Sequence, residues 1–360
     1  MTCVCALCGA SGGAADLALD LGLQPSMRHY PSPSDPLPDP THPLALWVCP
    51  ACGLAQLVAD DTDEPEVAVP QPAAVADQAR QAVEDLSDLL AGRRTVRTFP
   101  SPHGDPGVDA YVTRGLTVVD SEADVVADSF GIMHDADQGG AVAARAAAVA
   151  PGGLLVLTVQ PLDAIVATGQ WTAVRHGHVA YYSVTALRTA LARVGFVPIR
   201  ATRYALYGGT AVVVAQRDGV PDQALKDMYE AELRARLTTP AGLSGLQQEV
   251  TDGVERLTRY LTARAGTRLY GYGAPSRVTS LLAAVGDASG AITAIADAAT
   301  AKQGRALPVS RIPVISPDDL VAADADEVLL MLDDLYDEVL AAHPSLTGRL
   351  TTLSQAVGDA

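Results

Sequence analysis

The fold class is decided by residues 141–160, AVAARAAAVAPGGLLVLTVQ. The first ten residues predict a helix that ends at Pro151-Gly152-Gly153, and LLVLTVQ (154–160) is a continuous apolar run typical of a buried strand. A helix that leads through a short turn into such a strand is a unit of an α/β fold. We therefore predict an α/β architecture and expect further units on either side of this one.

The flanking sequence continues the alternation of strands and helices. Upstream, strands are predicted at TVRTF (95–99) and ADVVADSF (123–130). Downstream, SVTALRTALARVG (183–195) predicts a helix with a serine N-cap, and two apolar segments then flank the hairpin signal Gly208-Gly209. Alternating units that end in an antiparallel pair predict a class I methyltransferase-like, or Rossmann-like, sheet.

The last third of the chain contains a second alternation. Strands are predicted in TRLYGYGAPSR (267–277), AITAIAD (291–297) and DEVLLML (326–332), with a helix after the first of them. These segments predict a small C-terminal Rossmann-like lobe. The predicted organisation is a metal-binding module at 1–60, a methyltransferase-like domain at 74–217, a helical connector at 218–265 and the Rossmann-like lobe at 266–360.

Composition excludes several classes of protein. The chain has 360 residues, 48% hydrophobic and 19% charged, with a formal net charge of −17. Such a charge repels nucleic acid and anionic membrane surfaces, and no apolar run approaches the roughly 20 residues that span a bilayer. The start, MTCVCALCGA, lacks the pattern of a signal peptide. We expect a cytoplasmic globular protein with a small-molecule substrate, no nucleic-acid or membrane partner, and an oligomeric state that the sequence leaves open.

The cysteines are confined to the first 52 residues: Cys3, Cys5, Cys8, Cys49 and Cys52. Cys5 with Cys8 and Cys49 with Cys52 form two CxxC pairs, and four thiolates close a structural zinc site. Disulfides or a redox pair are the alternative, which a reducing compartment and the absence of a βαβ pattern disfavour. Cys3 is a further possible ligand in place of Cys5. The proline-rich stretch between the pairs predicts an extended loop around the metal.

Several motifs in a fixed order resemble the zinc-containing sugar-nucleotide C-methyltransferases of the tetronitrose type, which place a methyl branch at carbon 3 of a keto-deoxysugar. They are the CxxC pairs, HPLALWVCPACGLAQL (42–57), RHGHVAYYS (175–183), LYGGT (206–210), GYGAPSR (271–277) and AKQGRALPVSRIPVISPDDL (301–320). The resemblance spans nearly the whole chain. It implies two α/β lobes around a nucleotide-linked keto-sugar, with S-adenosylmethionine (SAM) on the central sheet.

The cofactor region departs from that family. In RTFPSPHGDPG (97–107), prolines occupy turn positions where close approach of a cofactor needs glycine, and His103 replaces an expected acid. About one βα unit, the one flanking adenine, is missing before ADVVADSF. Ser101, Gly104 and Glu122 remain the cofactor-binding candidates, and Asp120 or Glu122 either contacts a ribose or lies in a solvated turn.

Histidines are the predicted catalytic residues. Removing a proton from the carbon next to a ketone needs a base with a pKa near 7. The resemblance implies that His178 is this base and His134 a second active-site residue, and His176 is an additional candidate. Arg175 and Gly177 stand where the family has Tyr and Glu, so the dyad that orients the base is altered. Tyr181 and Tyr182 are sugar contacts or core residues.

The start of the C-terminal lobe predicts an anion site. Its predicted strand leads into a helix through a turn that exposes backbone N–H groups, so a pyrophosphate is the expected ligand. The alternative is a tight turn with surface cations. The predicted substrate-binding residues here are Tyr272, Ala274, Pro275, Ser276, Arg277, Lys302 and Arg305.

Three functions are compatible with these residues. The first, which the altered cofactor region favours, is a SAM-independent enzyme of deoxysugar or other natural-product (antibiotic) biosynthesis that epimerises, isomerises or eliminates on an NDP-keto-sugar. The second is a SAM-dependent NDP-sugar C-methyltransferase, and the third is a non-catalytic binding or scaffold protein. SAM binding separates the first two.

Overall fold

A computed structural model describes residues 2–26, 29–62, 73–99, 101 and 104–358. These residues form four sheets, of two, four, six and five strands. The predicted α/β class is confirmed. Pro100, Pro102 and His103, and residues 63–72 between the predicted cysteine module and the methyltransferase-like domain, lie outside the described residues.

The N-terminal part is built from antiparallel strands. They are β1 (Cys3–Val4), β2 (Ser11–Gly12), β3 (Leu17–Pro25), β4 (Thr41–Val48) and β5 (Ala55–Leu57). The end of the proline-rich stretch thus forms strand β4, where an extended loop was predicted. Pro43 is tolerated there because the β3–β4 register shifts between Asp20 and Leu23, next to its partner position.

The methyltransferase-like domain contains a six-stranded sheet in the order β11-β12-β9-β8-β6-β7. Strand β12 alone runs opposite to the other five strands, so it forms antiparallel pairs with β11 and β9, and the sheet ends in an antiparallel pair as the sequence predicted. The strands are β6 (Thr95–Phe99), β7 (Thr117–Val118), β8 (Ala123–Ser129), β9 (Val149–Val159), β11 (Val197–Tyr204) and β12 (Thr210–Gln216), while β10 (Ala180–Tyr181) leaves this sheet to pair with β5. The helices are α1 (Ala73–Asp85), α2 (Ser87–Leu90), α3 (Val108–Thr113), α4 (Gln138–Ala147), α5 (Leu162–Ala167) and α6 (Val184–Ala192).

The helix–strand boundary in residues 141–160 lies earlier than predicted. Helix α4 ends at Ala147, and β9 begins at Val149 and runs through Pro151-Gly152-Gly153. The β8–β9 register jumps from Ala123 opposite Val149 to Val125 opposite Leu154. The proline and glycines therefore form an irregularity within the strand, where a break was expected.

The shortened sheet has β7 at its edge. Four residues, 119–122, separate β7 from β8, which is too few for a helix and a further strand. Val118 on this edge is 46% exposed. The βα unit that the sequence predicted to be missing is therefore missing in the structure.

The C-terminal part contains a helical connector and a parallel sheet. The connector holds α7 (Gln223–Arg234), α8 (Pro240–Leu243) and α9 (Gly245–Thr262). The sheet, in the order β15-β14-β13-β16-β17, contains β13 (Leu269–Tyr272), β14 (Ile292–Ala296), β15 (Val314–Ile315), β16 (Glu327–Leu330) and β17 (Leu350–Thr352), with helices α10 (Ser276–Ala284), α11 (Pro317–Ala322), α12 (Tyr336–Ala342) and α13 (Leu353–Val357). All its pairs are parallel, so this lobe is Rossmann-like.

One hydrophobic core joins the parts of the chain. Leu44 of β4, Leu257 of α9, Val278 of α10 and Leu329 of β16 are buried in the same cluster. This packing brings the carboxyl ends of the two α/β sheets toward one another, and ligands of such sheets bind at those ends. Among the described residues, no helix has the length and apolar character needed to cross a membrane.

Candidate functional site

The two CxxC turns bring four sulfur atoms together. The Sγ atoms of Cys5, Cys8, Cys49 and Cys52 all lie within 4.8 Å of one another. Sγ of Cys5 is 3.5 Å from Sγ of Cys52, and Sγ of Cys8 is 3.7 Å from Sγ of Cys49. Four thiolates at such distances can hold one tetrahedral metal ion without an open coordination position.

The two turns close in the same way. The amide of Gly9 donates to the Cys5 carbonyl and the amide of Gly53 to the Cys49 carbonyl, each at 2.9 Å. Hydrogen bonds to Cys5, first from the Cys52 thiol, lower the pKa of Cys5 to about 5, so this cluster stabilises a thiolate. Cys3 lies in β1 outside the four-cysteine group, so Cys5 and not Cys3 belongs to the set that could hold a metal ion.

A cavity of about 360 Å³ lies at the carboxyl ends of both α/β sheets. Tyr30 of the N-terminal part also reaches it. Its lining includes nine of the residues that the sequence predicted as site residues: Ser101, His134, Arg175, His178, Tyr272, Pro275, Ser276, Arg277 and Lys302. The cavity therefore joins the predicted catalytic histidines to the predicted anion site.

The rings of His134 and His178 contact each other at one side of the cavity. Their centroids are 4.6 Å apart and their planes are nearly perpendicular, at 88°. Nδ1 of His134 lies 2.8 Å from the Gly177 carbonyl oxygen, which only accepts, so Nδ1 carries a proton. Nε2 of His178 lies 2.5 Å from Nη2 of Arg175, which only donates, so Nε2 accepts.

Buried groups hold the 3₁₀ turn Ile132–His134 in place. Oδ1 of Asp128 accepts hydrogen bonds from the amides of Gly131 and Ile132, at 2.8 and 3.1 Å. Burial raises the pKa of Asp128, and the charge of Arg145, 2.6 Å away, opposes this effect. Asp128 follows from no sequence motif, but it is an acid within a run of apolar strand residues, which is a signal of a paired buried charge.

Tyr181 and Tyr182 lie in the core and not on the cavity lining. Both are 0% exposed. The Tyr181 hydroxyl accepts from the Arg175 amide at 2.9 Å, and the Tyr182 hydroxyl donates to Oε1 of Gln138 at 2.5 Å. Each tyrosine therefore supports the histidine-bearing segments from behind, and sugar contact, the other predicted role, is not available to them in this arrangement.

His176 points away from the cavity, unlike its predicted catalytic role. Its ring is fully buried, and Nε2 donates to the Pro43 carbonyl at 3.2 Å. Burial lowers the pKa of His176. This histidine therefore joins the loop to strand β4, and it does not line the cavity.

The anion site of the C-terminal lobe is more constrained than predicted. Nζ of Lys302 donates to the Ala274 carbonyl at 2.9 Å and to Oδ2 of Asp297 at 3.1 Å. The same Oδ2 accepts from the Ala274 amide at 2.7 Å. Ala274 is fully buried, and Arg305 donates to the Tyr30 carbonyl, so neither lines the cavity. Asp297 was not predicted as a site residue, although an acid directly after the second strand of a Rossmann-like unit is a signal for one.

Arg277 is the cation of this lobe that faces the cavity without a carboxylate partner in the described part of the chain. Its guanidinium lies over the Tyr207 ring, 5.3 Å from the centroid, and burial lowers its pKa. Tyr207 and Phe130, whose rings are 6.2 Å apart, both have left-handed backbones with φ of 59° and 63°. Such strain in non-glycine residues concentrates at functional sites.

The predicted cofactor residues are only partly brought to the cavity. Ser101 lines it, but the amides of Ser101 and Gly104 each donate to the other residue's carbonyl, at 3.2 and 3.0 Å. These amides close the turn on itself. Glu122 is exposed beyond the edge strand β7, and neither it nor Gly104 lines the cavity.

Parts of the chain are similar to known proteins. Residues 205–353 match the C-methyltransferase C-terminal domain family. C-methyltransferase NovU of Streptomyces niveus is 28% identical over 200 residues, which cover 54% of this chain and 47% of that protein. The chain thus aligns with about half the length of this relative.

Solved methyltransferases resemble part of the chain. A SAM-dependent methyltransferase of Thermotoga maritima, a possible histamine N-methyltransferase, is 12% identical with a TM-score of 0.30, covering 40% of this chain and 92% of that chain. Magnesium protoporphyrin IX methyltransferase of Synechocystis PCC 6803, with bound S-adenosylhomocysteine (SAH), is also 12% identical with a TM-score of 0.30, covering 42% of this chain and 90% of that chain. Because these TM-scores are low, the fold assignment rests on the strand orders of the two α/β sheets. Residues 205–353 are thus similar to C-methyltransferase C-terminal domains, and about half of the chain is similar to a C-methyltransferase.

Proposed function

We propose that this protein is a C-methyltransferase that acts on the carbon next to the ketone of a nucleotide-linked keto-sugar, with the His134–His178 pair moving the proton. The observation that carries this proposal is that both histidines and the turn around Arg277 line one cavity. The match of residues 205–353 to the C-methyltransferase C-terminal domain family and the similarity to NovU support methyl transfer to carbon.

The C-terminal lobe would hold the nucleotide end of the substrate. Helix α10 begins at Ser276, beside the cavity, so its first amides and the Arg277 guanidinium favour a negatively charged group there. A diphosphate has that charge. The linked sugar would then extend toward the histidines across the same cavity.

The histidine side would carry out the proton transfer. A carbon next to a ketone becomes nucleophilic once its proton is removed, and the negative charge then develops on the ketone oxygen. His178 and His134 are the bases within reach of this part of the cavity. Arg175, which already lies beside His178, is the cation placed to stabilise the developing oxyanion.

The four cysteines would hold zinc. Their sulfur atoms fit a closed tetrahedral site, so the ion would supply stability and no chemistry. Strand β5 follows the second CxxC turn and pairs with β10, close to the histidine loop. A folded metal module therefore supports the site, although none of its four metal-binding cysteines lines the cavity.

The residues fit SAM on one side of its expected groove. Ser101, Ser129 and Phe130 line the cavity at the ends of β6 and β8, where SAM would supply the methyl group. The ribose side does not fit, because Glu122 is exposed and the Ser101–Gly104 turn uses its own amides. This mismatch favours a second candidate function, SAM-independent epimerisation, isomerisation or elimination through the same histidines.

One experiment separates the two functions. The protein is incubated with a dTDP-linked keto-deoxyhexose in deuterated water, with and without SAM, and SAH binding is measured by calorimetry. A methylated product and SAH binding support methyl transfer, whereas deuterium uptake into the sugar without SAH binding supports the second candidate. Neither product in the wild type, or equal rates in His178→Ala, would contradict both.

A further inference from the structure

We propose that Asp60, at the end of the cysteine module, is a positioning residue that fixes His134 through Gly177. This inference deepens the proposed function, because His134 is one of the two proposed bases. Oδ2 of Asp60 accepts a hydrogen bond from the Gly177 amide at 2.5 Å. The Gly177 carbonyl in turn accepts from Nδ1 of His134 at 2.8 Å.

Gly177 needs an external partner to keep this geometry. Its φ is +85°, a left-handed conformation, and glycine has access to many other conformations at little cost. The direction of its carbonyl is therefore not set by its own backbone preference. The bond from its amide to Asp60 restrains the residue on the side opposite His134.

Asp60 is itself well fixed. Its Oδ1 accepts from the Thr62 hydroxyl at 2.6 Å and from the Thr62 amide at 3.2 Å, so both carboxylate oxygens have partners. Burial alone would raise the pKa of Asp60, but the hydrogen bonds from Thr62 and from the Gly177 amide outweigh it and lower the pKa. The carboxylate stays ionised, and a charged acceptor makes the stronger hydrogen bond.

The backbone before Asp60 follows the histidine loop. Strand β5 pairs with β10, and the Leu57 amide donates to the Val179 carbonyl at 3.0 Å. Beyond this pairing, Asp60 accepts the hydrogen bond from Gly177, and Asp60 itself does not line the cavity. The contact therefore links the cysteine module to the proposed catalytic histidines.

The chemical consequence is control of the His134 tautomer. While the Gly177 carbonyl accepts from Nδ1, the neutral ring carries its proton on Nδ1, and Nε2 is the basic atom. If Gly177 turns away, this preference is lost, and the ring becomes a mixture of tautomers. A base in the wrong tautomer cannot take the proton.

The test measures tautomers directly in ¹⁵N-histidine-labelled protein by long-range ¹H–¹⁵N NMR. In the wild type we expect His134 as the Nδ1–H tautomer, and in Asp60→Ala a mixture. Asp60→Asn keeps an oxygen acceptor and should retain most of the wild-type pattern. Asp61→Ala is the matched control, because Asp61 contacts His42 and not Gly177.

The proposal is overturned if folded Asp60→Ala keeps the wild-type His134 tautomer, or if Asp61→Ala alters it equally. Should Asp60→Ala not fold, Asp60→Ser, which lacks the Oδ2 acceptor of the Gly177 amide, is compared with Asp61→Ser in the same way. With a turned-over substrate, Asp60→Ala should lower kcat by about 10- to 100-fold with little change in KM. The tautomer readout needs no substrate, so it stands even if wild-type protein neither methylates nor exchanges the keto-sugar.

Discussion

Nη2 of Arg175 lies 2.5 Å from Nε2 of His178 and donates a hydrogen bond to it. The guanidinium has no acceptor, so this bond uses the lone pair with which His178 would take a proton. His178 can act as a base through Nε2 only when Arg175 turns to another acceptor. The ketone oxygen of a substrate is such an acceptor, so binding and base activation are coupled in this arrangement.

Replacing Arg175 by Met should therefore slow the reaction although it exposes the His178 lone pair. The variant loses the cation that would stabilise the oxyanion, and loss of one such donor costs about 10²- to 10³-fold in kcat. Arg175→Lys should recover part of this loss. The rate of deuterium exchange into the keto-sugar measures it, with the surface variant Arg193→Met as control. An Arg175→Met enzyme as fast as wild type would show that Arg175 only covers the base.

The two histidines should behave as one unit. His178→Ala and His134→Ala should each lower turnover by about 10²- to 10⁴-fold, which is the usual contribution of a general base. Their rings are 4.6 Å apart, so the double variant should lose much less than the product of the two single losses. The measurement is a double-mutant cycle, in which turnover is compared for the wild type, the two single variants and the double variant. His42→Gln is the control. Fully multiplicative losses would mean that the residues act independently.

Much of the fold could be predicted because its signals are local. Apolar runs, the Gly208-Gly209 hairpin and the short connection before Ala123 predicted the sheets and the missing unit. Packing decided what the sequence left open. Tyr181 at the end of strand β10 lies in one core and Tyr182, the next residue, lies in another, so alternation could not place either tyrosine at a surface.

The site was predicted less completely for the same reason. His176 and His178 are two residues apart, but Gly177 has a left-handed backbone, and it turns one ring into the core and the other into the cavity. Lys302 has the charge of an anion-binding residue, but its contact with Asp297 forms only when the β14 turn folds. Contacts that depend on turn geometry have no periodic pattern in the sequence.

Tyr182→Phe tests the core role of this tyrosine. The change removes the hydroxyl that donates to Gln138 and leaves a buried amide oxygen without that donor. We expect a loss of about 1–3 kcal/mol in the free energy of unfolding and no change in KM. Urea unfolding and steady-state kinetics measure the two, with the half-buried Tyr270→Phe as control. A raised KM at wild-type stability would return Tyr182 to the substrate contacts.

His176 should make stability depend on pH. Burial lowers the pKa of His176 in the folded state, whereas the pKa of a histidine in an unfolded chain is about 6.5. As pH falls below about 6.5, the unfolded chain therefore takes up a proton that the folded protein refuses, and stability decreases by at most about 1.4 kcal/mol per pH unit. The stability that the neutral His176 side chain contributes is fully present above about pH 6.5 and decreases as the pH falls toward the lower pKa of the folded state.

His176→Gln should remove this part of the acid-side slope. Urea unfolding between pH 7 and pH 5 measures the slope, and only the difference between variant and wild type is interpreted, because other groups also titrate. His343→Gln, a partly exposed residue far along the chain, should keep the wild-type slope. Equal slopes in His176→Gln and wild type would mean that the His176 environment admits the proton.

The cysteine cluster gives a prediction with an internal control. Cys5→Ser and Cys49→Ser each remove one of four sulfur ligands, whereas Cys3→Ser removes a buried thiol outside the group. Metal analysis should find one zinc per chain in the wild type and Cys3→Ser, and loss of zinc in the other two variants. The variants that lose zinc should also lose stability and turnover, because β5, next to the second CxxC turn, supports the histidine loop through β10. Zinc retained in Cys5→Ser but lost in Cys3→Ser would show that Cys3, and not Cys5, is the ligand.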